Sequence, residues 1–140
     1  MKKLFFAFLF IGVSVSGDTL HDKDWPWWRG PSYSGVAASG QDLPLRWSST
    51  ENVLWKSPVS GLGHGSPIVF GDQVLLCSAD EKKQVQSVYG FSRTSGKLLW
   101  ETAVHRGKFM KRNKKASQAS STPACDGERV YVSFVNGGAA

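Results

Sequence analysis

Short hydrophobic runs separated by turn residues predict four β-strands between Gly65 and Val104. The runs IVF and QVLLC flank Gly71 and Asp72, a pair typical of a hairpin turn because glycine readily takes a positive φ. VQSVYGF and KLLWETAV provide a third and a fourth strand, and the SRTSG between them is typical of a turn. Beyond the N-terminal segment no stretch shows helical periodicity, so the pattern predicts an antiparallel, all-β fold.

The chain contains two partial copies of one unit. SPIVFGDQVLLC, from Ser66, aligns with TPACDGERVYVS, from Thr122, at an offset of 56 positions. VLWKSPV aligns with LLWETAV at an offset of 45 positions and matches Trp55 with Trp100. The two offsets differ because the second copy carries about eleven extra residues, and most of these are basic.

A four-stranded antiparallel unit that repeats predicts the blades of a β-propeller. One blade cannot bury both of its faces and needs a neighbour on each side. Alternation places Leu98 and Trp100 on one face of the fourth strand. A tryptophan near the end of each fourth strand, Trp55 and Trp100, suits the seam between blades, where it would bury about 150–250 Å². The alternative is a core tryptophan in a two-sheet sandwich. The recurrence of the tryptophan at matching positions of the two copies favours the propeller.

The pattern divides the chain into segments and gives about one and a half blades. They are a signal peptide at 1–17, an irregular tryptophan-rich arm at 18–50, a ring-closing outer strand at 51–59, a complete blade at 65–104, a basic insertion loop at 105–118 and the truncated start of another blade at 119–140. Propellers have about four to eight blades, so we expect a fragment of a longer protein.

The N-terminal sequence MKKLFFAFLFIGVSVSG has the three parts of a secretory signal peptide. Two lysines precede an apolar run, and small residues follow it where a peptidase would cut. The apolar run is about twelve residues long, whereas a bilayer-spanning helix needs roughly twenty. The segment therefore predicts an exported protein, periplasmic or extracellular, with no transmembrane segment after cleavage. The alternative is an uncleaved N-terminal anchor.

Three tryptophans, Trp25, Trp27 and Trp28, lie in the stretch DWPWWRGP of the arm. Glycine and proline recur after them, which opposes regular structure. We expect these tryptophans to act as structural anchors that hold the arm on the propeller, as Trp55 and Trp100 would hold the blades, because burial is the commoner use of aromatic rings. The alternative is a ligand platform, since exposed tryptophans stack on sugars and other flat rings.

The formal net charge of +6 is concentrated in one segment. Its basic residues are Arg106, Lys108, Lys111, Arg112, Lys114 and Lys115. Without them and the two lysines of the leader, nine basic and eleven acidic residues remain, so the body is near neutral. This distribution argues against nucleic-acid binding, which favours a broad basic face. Arg106–Lys115 is a possible contact for an anionic surface, either lipid headgroups or cell-wall polymers. The alternative is a loop that is only solvated.

Few residues suggest site chemistry. His64 and Ser66 lie in GLGHGSP, directly before the first strand of the complete blade. In a propeller this strand lines the central channel, so both are candidate ligand or channel residues, and the alternative for His64 is a structural loop histidine. Cys77 and Cys125 are too few for a disulfide scaffold and are predicted to be buried thiols. No catalytic set and no metal cluster is apparent.

The stretch SPIVFGDQVLLCSAD…VYGFSRTSGKLLWE resembles a pyrroloquinoline-quinone-type (PQQ-like) propeller repeat. The usual pattern is leucine, aspartate, two variable residues, threonine, glycine and, a few residues later, tryptophan. Phe91, Ser92, Ser95, Gly96 and Trp100 occupy these places, and both serines depart from the pattern. With the leader, DWPWWRGP and ASSTPACDGERVYVSF, the chain resembles secreted bacterial proteins of this kind, similar to outer-membrane assembly propellers.

The resemblance implies a non-catalytic binding or scaffold module of the cell envelope, without a cofactor, whose partner is a protein or an envelope polymer. The alternative that it implies is the N-terminal part of a quinoprotein dehydrogenase. Such an enzyme requires pyrroloquinoline quinone beside a calcium ion and a catalytic aspartate. No residue of this sequence can be matched to those calcium ligands or to that aspartate.

Overall fold

The computed structural model describes residues 20–134, which contain six β-strands and no helix. The predicted signal peptide at 1–17 and residues 135–140 of the last predicted segment lie outside the described residues. The strands are β1 (Ile68–Phe70), β2 (Gln73–Asp80), β3 (Val85–Ser92), β4 (Leu98–Arg106), β5 (Ala124–Cys125) and β6 (Val130–Tyr131).

The first four strands form one antiparallel sheet in the order β1-β2-β3-β4. The β1–β2 hairpin pairs Phe70 with Gln73 and turns at Gly71, whose φ is +51°. β5 and β6 form a second, two-stranded antiparallel sheet in which Cys125 pairs with Val130. A four-stranded meander followed by the first hairpin of a second repeat confirms the predicted all-β fold, consistent with an incomplete propeller.

The register between β3 and β4 contains two shifts, and one of them corrects the sequence analysis. Gly90 pairs with Trp100, but the next residue, Phe91, pairs with Leu98. Because neighbours along β3 point to opposite faces, Leu98 does not share the face of Trp100, and its side chain is half exposed. Simple alternation misplaced Leu98 because a bulge adds one residue to β4.

The hydrophobic core lies between one face of the sheet and the start of the second repeat. Its buried residues are Ile68, Phe70, Leu75, Cys77, Ala79 and Val88 from the sheet, with Ala119 and Cys125 from the second repeat. Val130 packs against both halves of this core, and Val132 and Phe134 pack against the half that contains Cys77. The second repeat therefore covers the apolar face that a single blade would leave in water.

Trp100 crosses this face from β4 to β2. Its Nε1 donates a hydrogen bond of 2.7 Å to Oε1 of Gln73, and its ring packs against both halves of the core. A Cβ placed on Gly90 would lie 2.3 Å from the ring, so only glycine fits beneath the indole. Gly90 in β3 therefore provides the close approach that the tryptophan needs.

Trp55 is held by the turn between β3 and β4. Its Nε1 donates to the backbone oxygen of Arg93 at 2.8 Å, and its ring lies directly on Gly96. The hydroxyl of Ser57 donates to the Gly96 carbonyl oxygen. Residues 51–59 form no strand in the structure. A ring-closing strand needs a partner strand from another blade, and within residues 20–134 none pairs with this segment, so that role stays a prediction.

Gly96→Ala is expected to destabilise the fold more than Gly71→Ala. Both glycines have positive φ, +68° and +51°, so each substitution costs about 1 kcal/mol of backbone strain. Only the Cβ at Gly96 meets another group, the Trp55 ring at 2.5 Å, whereas nothing lies within 4 Å of the one at Gly71. Overpacking should add about 1–3 kcal/mol at Gly96 alone, measured by urea unfolding. Equal losses would show that Trp55 does not dock on this turn.

Cys77 and Cys125 are both buried and unpaired. Burial raises the pKa of the Cys77 thiol to about 12 and also raises the pKa of Cys125. Between the ordinary thiol pKa of 9.0 and about 12, the folded chain keeps a proton at Cys77 that the unfolded chain releases. The free energy of unfolding should therefore fall as the pH rises above about 9.

Urea titrations at about pH 8 and about pH 10 would measure this fall. The Cys77→Ala variant is the control, because it removes the Cys77 thiol and keeps every other titratable group. We expect the variant to lose less stability between the two pH values than the parent chain. A fall of the same size in both proteins would contradict the assignment to Cys77.

Candidate functional site

Equivalent residues of the two repeats touch at the inner edge of the sheet. The backbone N–H of Ser66 donates to Oγ1 of Thr122 at 3.0 Å, and these residues occupy matching positions of the two copies. A Cβ on Gly65 would lie 2.3 Å from the backbone oxygen of Ser121. In a propeller the first strand of each blade lines the central channel, so this side of β1 is the one that would face the axis of a complete ring.

His64 lies at the same seam, next to the axial contact. Its backbone N–H lies 3.0 Å from the backbone oxygen of Ala119 and 3.1 Å from Oγ of Ser117, and Gly65 donates to the same Ala119 oxygen. These contacts come from the backbone, and the side chains of His64 and Ser66 are exposed. The structure thus brings the two candidate channel residues together at the axial end, and their role as ligand contacts stays a prediction.

The N-terminal arm covers the inner edge of β1. Trp25 and Val69 exchange two backbone hydrogen bonds, of 2.7 and 3.0 Å, on the edge of β1 that faces away from β2. The next residue, Pro26, accepts a 2.8 Å hydrogen bond from the backbone N–H of Cys125 in β5. The arm therefore joins the innermost strands of the two repeats and satisfies polar groups that an open edge would expose.

A buried carboxylate fixes the arm in this position. Asp24 is 4% exposed, its Oδ1 accepts a hydrogen bond of 2.9 Å from the Gly71 backbone N–H, and its Oδ2 accepts one of 2.8 Å from the His21 backbone N–H. The β1–β2 turn is thereby tied to the arm. The sequence analysis missed this residue, although an acidic residue directly before an apolar aromatic run was a usable signal, because a buried carboxylate must find donors.

The three arm tryptophans differ in burial. Trp25 packs on Gly30, where a Cβ would lie 2.7 Å from the ring. Trp27 is partly buried and stacks on Tyr33 with ring centroids 5.4 Å apart. Trp28 is 60% exposed, and the Arg29 guanidinium lies 5.5 Å from its ring centroid. The anchor role stays a prediction for all three, and burial distinguishes Trp25 and Trp27 from Trp28.

An open groove of about 980 Å³ lies beside the arm. Residues 20–25, 31, 32, 34 and 36–41 line it, together with Val69 and Arg93. The guanidinium of Arg93 donates to the backbone oxygen of Gly71 at 3.3 Å, so the same turn that holds Asp24 also holds this arginine. The groove is therefore built from the arm, from β1 at Val69 and from Arg93 of the β3–β4 turn.

The described residues do not assemble a metal centre. Within residues 20–134, no three His, Cys, Asp or Glu side chains come close enough to hold one ion. The described residues therefore supply no group of three such side chains for the calcium ion that a bound quinone would accompany. In the same range, no helix has the length and apolar character to cross a bilayer.

A four-stranded meander that meets an equivalent second repeat at its axial edge defines a propeller-repeat protein. A comparison with family models matches residues 32–140 to the PQQ-like repeat model described as outer membrane protein assembly factor BamB. The match covers most of the chain, so the chain belongs to this PQQ-like repeat family, as the sequence resemblance predicted. No curated protein matches the chain, and no solved structure does.

Replacement of Thr122 tests the axial contact between the repeats. Thr122→Val keeps the side-chain shape but removes the oxygen that accepts the Ser66 N–H, so we expect a loss of about 1 kcal/mol in the free energy of unfolding. Thr122→Ser keeps the oxygen and should retain most of the stability. Urea unfolding of both variants measures the difference, and equal stability of the valine and serine variants would argue against the contact.

Proposed function

We propose that the chain is a non-catalytic scaffold module of the cell envelope, part of a larger propeller of PQQ-like repeats, that binds an envelope protein. The observation that carries the proposal is the occupied inner edge. Main chain from Trp25 and Pro26 covers β1 and β5 on the axial side, where a small ligand would otherwise approach the innermost strands. Because the arm occupies the axial side, we place a structural role there and the binding of a partner at the outer surface.

Exposed apolar side chains supply such a surface. Leu45 is 95% exposed, and Leu43 and Trp47, which also precede the predicted ring-closing strand at 51–59, are largely exposed. They belong to residues 43–54, where the Ser48 hydroxyl accepts backbone hydrogen bonds in a turn and the Asn52 amide donates to the Arg46 carbonyl. Large exposed apolar side chains that lie close together in the sequence are candidates for a protein-interaction site.

The family supports the cellular setting of the proposal. Its model is described as an outer membrane assembly factor, and an N-terminal segment of signal-peptide character fits export to the periplasm or the cell exterior. A protein partner agrees better with the exposed leucines than an envelope polymer does, because polysaccharide chains offer few apolar groups to cover them.

Site-specific photo-crosslinking in the producing cells tests this function. A crosslinking residue at Leu45 should give a discrete product in which mass spectrometry finds peptides of a second protein, and one at the exposed Lys97 should not. The Leu43→Ser change should weaken the Leu45 product on the order of tenfold or more, because burial of a leucine contributes about 1.5–3 kcal/mol. A Leu45 product without peptides of a second protein would instead indicate a polymer.

The enzyme alternative is tested on the same protein. Pyrroloquinoline quinone and calcium are added, and reduction of an electron-accepting dye by an alcohol or sugar is followed. Under the scaffold proposal the dye is not reduced above the rate without quinone. Quinone-dependent dye reduction, or no protein crosslink at Leu45, would overturn the proposal.

A further inference from the structure

The basic loop and the β2–β3 turn lie together at one edge of the sheet. The Gly107 backbone N–H donates to the Gln84 backbone oxygen at 2.9 Å, and that of Phe109 donates to Oε1 of Gln84 at 3.0 Å. The Arg112 guanidinium bonds to the Glu81 carboxylate at 2.8 Å. We call this combined surface, residues 81–84 and 106–115, the cationic edge.

The charge of the cationic edge exceeds that of the basic loop alone. Its cations are Lys82, Lys83, Arg106, Lys108, Lys111, Arg112, Lys114 and Lys115. Two carboxylates lie at this edge, and both are engaged locally. Glu81 contacts Arg112, and Asp80 accepts a hydrogen bond from Ser60 and lies 3.6 Å from the Lys83 ammonium. A strong surplus of positive charge is left for a partner outside these contacts.

A chain of buried amides fixes the shape of the loop. Gln86 is 0% exposed, and its Nε2 donates to the backbone oxygen of Gln118 at 2.7 Å. The Nε2 of Gln118 donates in turn to the backbone oxygen of Met110 at 2.7 Å. Phe109 packs against the core half that contains Ala119. A loop that served only to hold charge in water would not need this internal support, and a preordered loop loses less entropy on binding.

Met110 presents an apolar side chain among the cations. Phe109 turns toward the core, whereas Met110 is 46% exposed and lies between Lys108 and Lys111. Anionic lipid surfaces attract clustered lysines and arginines, and the boundary between headgroups and acyl chains accepts an apolar side chain. The chemistry of a membrane surface therefore matches both features of the edge.

We propose that the cationic edge binds the surface of an anionic lipid membrane, with lysines at the headgroups and Met110 at the acyl boundary. The inference rests on the proposed envelope location but not on the protein partner. Membrane binding is placed at the sheet edge, and residues 43–54 remain free for the protein partner. The two sites can therefore be tested separately.

Cosedimentation with vesicles tests the proposal on the full chain. Phosphatidylcholine vesicles with and without about one third phosphatidylglycerol are compared, and the measured quantity is the difference between the two, which removes the contribution of the apolar run near the N-terminus. The contribution of Lys2 and Lys3 is the same in every variant compared below. We expect tighter binding to the anionic vesicles. That preference should disappear near 1 M salt, where the screening length falls to about 3 Å.

Two matched triple variants locate the surface, and each removes three positive charges. The edge variant is Lys108→Gln, Lys111→Gln and Lys115→Gln, and the control variant is Lys23→Gln, Arg46→Gln and Lys97→Gln. All six side chains belong to exposed residues, so both proteins should melt like the parent. We expect the edge variant to bind anionic vesicles on the order of 100-fold more weakly and the control variant to change little.

Met110→Ser distinguishes a membrane from a soluble polyanion. The variant keeps every charge, so binding to inorganic polyphosphate should be unchanged, whereas binding to anionic vesicles should weaken by roughly five- to tenfold. Equal loss in the edge and control variants would overturn the proposal, because it would reflect net charge alone. So would vesicle binding that Met110→Ser leaves unchanged, or binding to polyphosphate without binding to vesicles. A failed crosslink at Leu45 would leave the vesicle result untouched.

Discussion

The packing of a second repeat on one face of the four-stranded sheet is the interaction on which this structure depends. A single meander has apolar side chains on both faces, and a sheet of this size is not stable when both faces are exposed to solvent. Cys125 and Ala119 of the second repeat pack in one core with Leu75 and Cys77 of the sheet, and Trp100 packs against both halves of that core. The contact of Ser66 with Thr122 then sets the axial end of the seam. The packing of the second repeat on the sheet in turn positions the loops and the N-terminal arm.

Much of the sheet could be predicted from local sequence because its determinants are local. Hydrophobic runs gave the strands, and Gly71 and Gly96 take the positive φ values that turn chemistry requires. The position of Leu98 could not be predicted, because a bulge depends on the fit of β4 against β3. Likewise, the 56-position match of Ser66 with Thr122 indicated a repeat, but only the three-dimensional arrangement shows that the matching residues touch.

The candidate sites were predicted less well, because they depend on contacts between distant segments. The position of Asp24 before the tryptophans was a signal, but the donor at Gly71 comes from a turn far along the chain. The buried Gln86 had a signal, since it alternates with Val88 on the inward face of β3, but nothing local says that it supports a loop through Gln118. The basic segment could be recognised from its composition. Its position beside residues 81–84 could not, because it depends on hydrogen bonds of Gln84 to a distant part of the chain.

The two free thiols have a consequence for how such a chain matures. Cys77 and Cys125 lie in different halves of the core, and each becomes inaccessible only when the second repeat closes over the sheet. At the proposed envelope location an unfolded chain would expose both thiols to oxidation. The rate at which the second repeat docks on the sheet would then determine how long the two thiols stay open to that reaction.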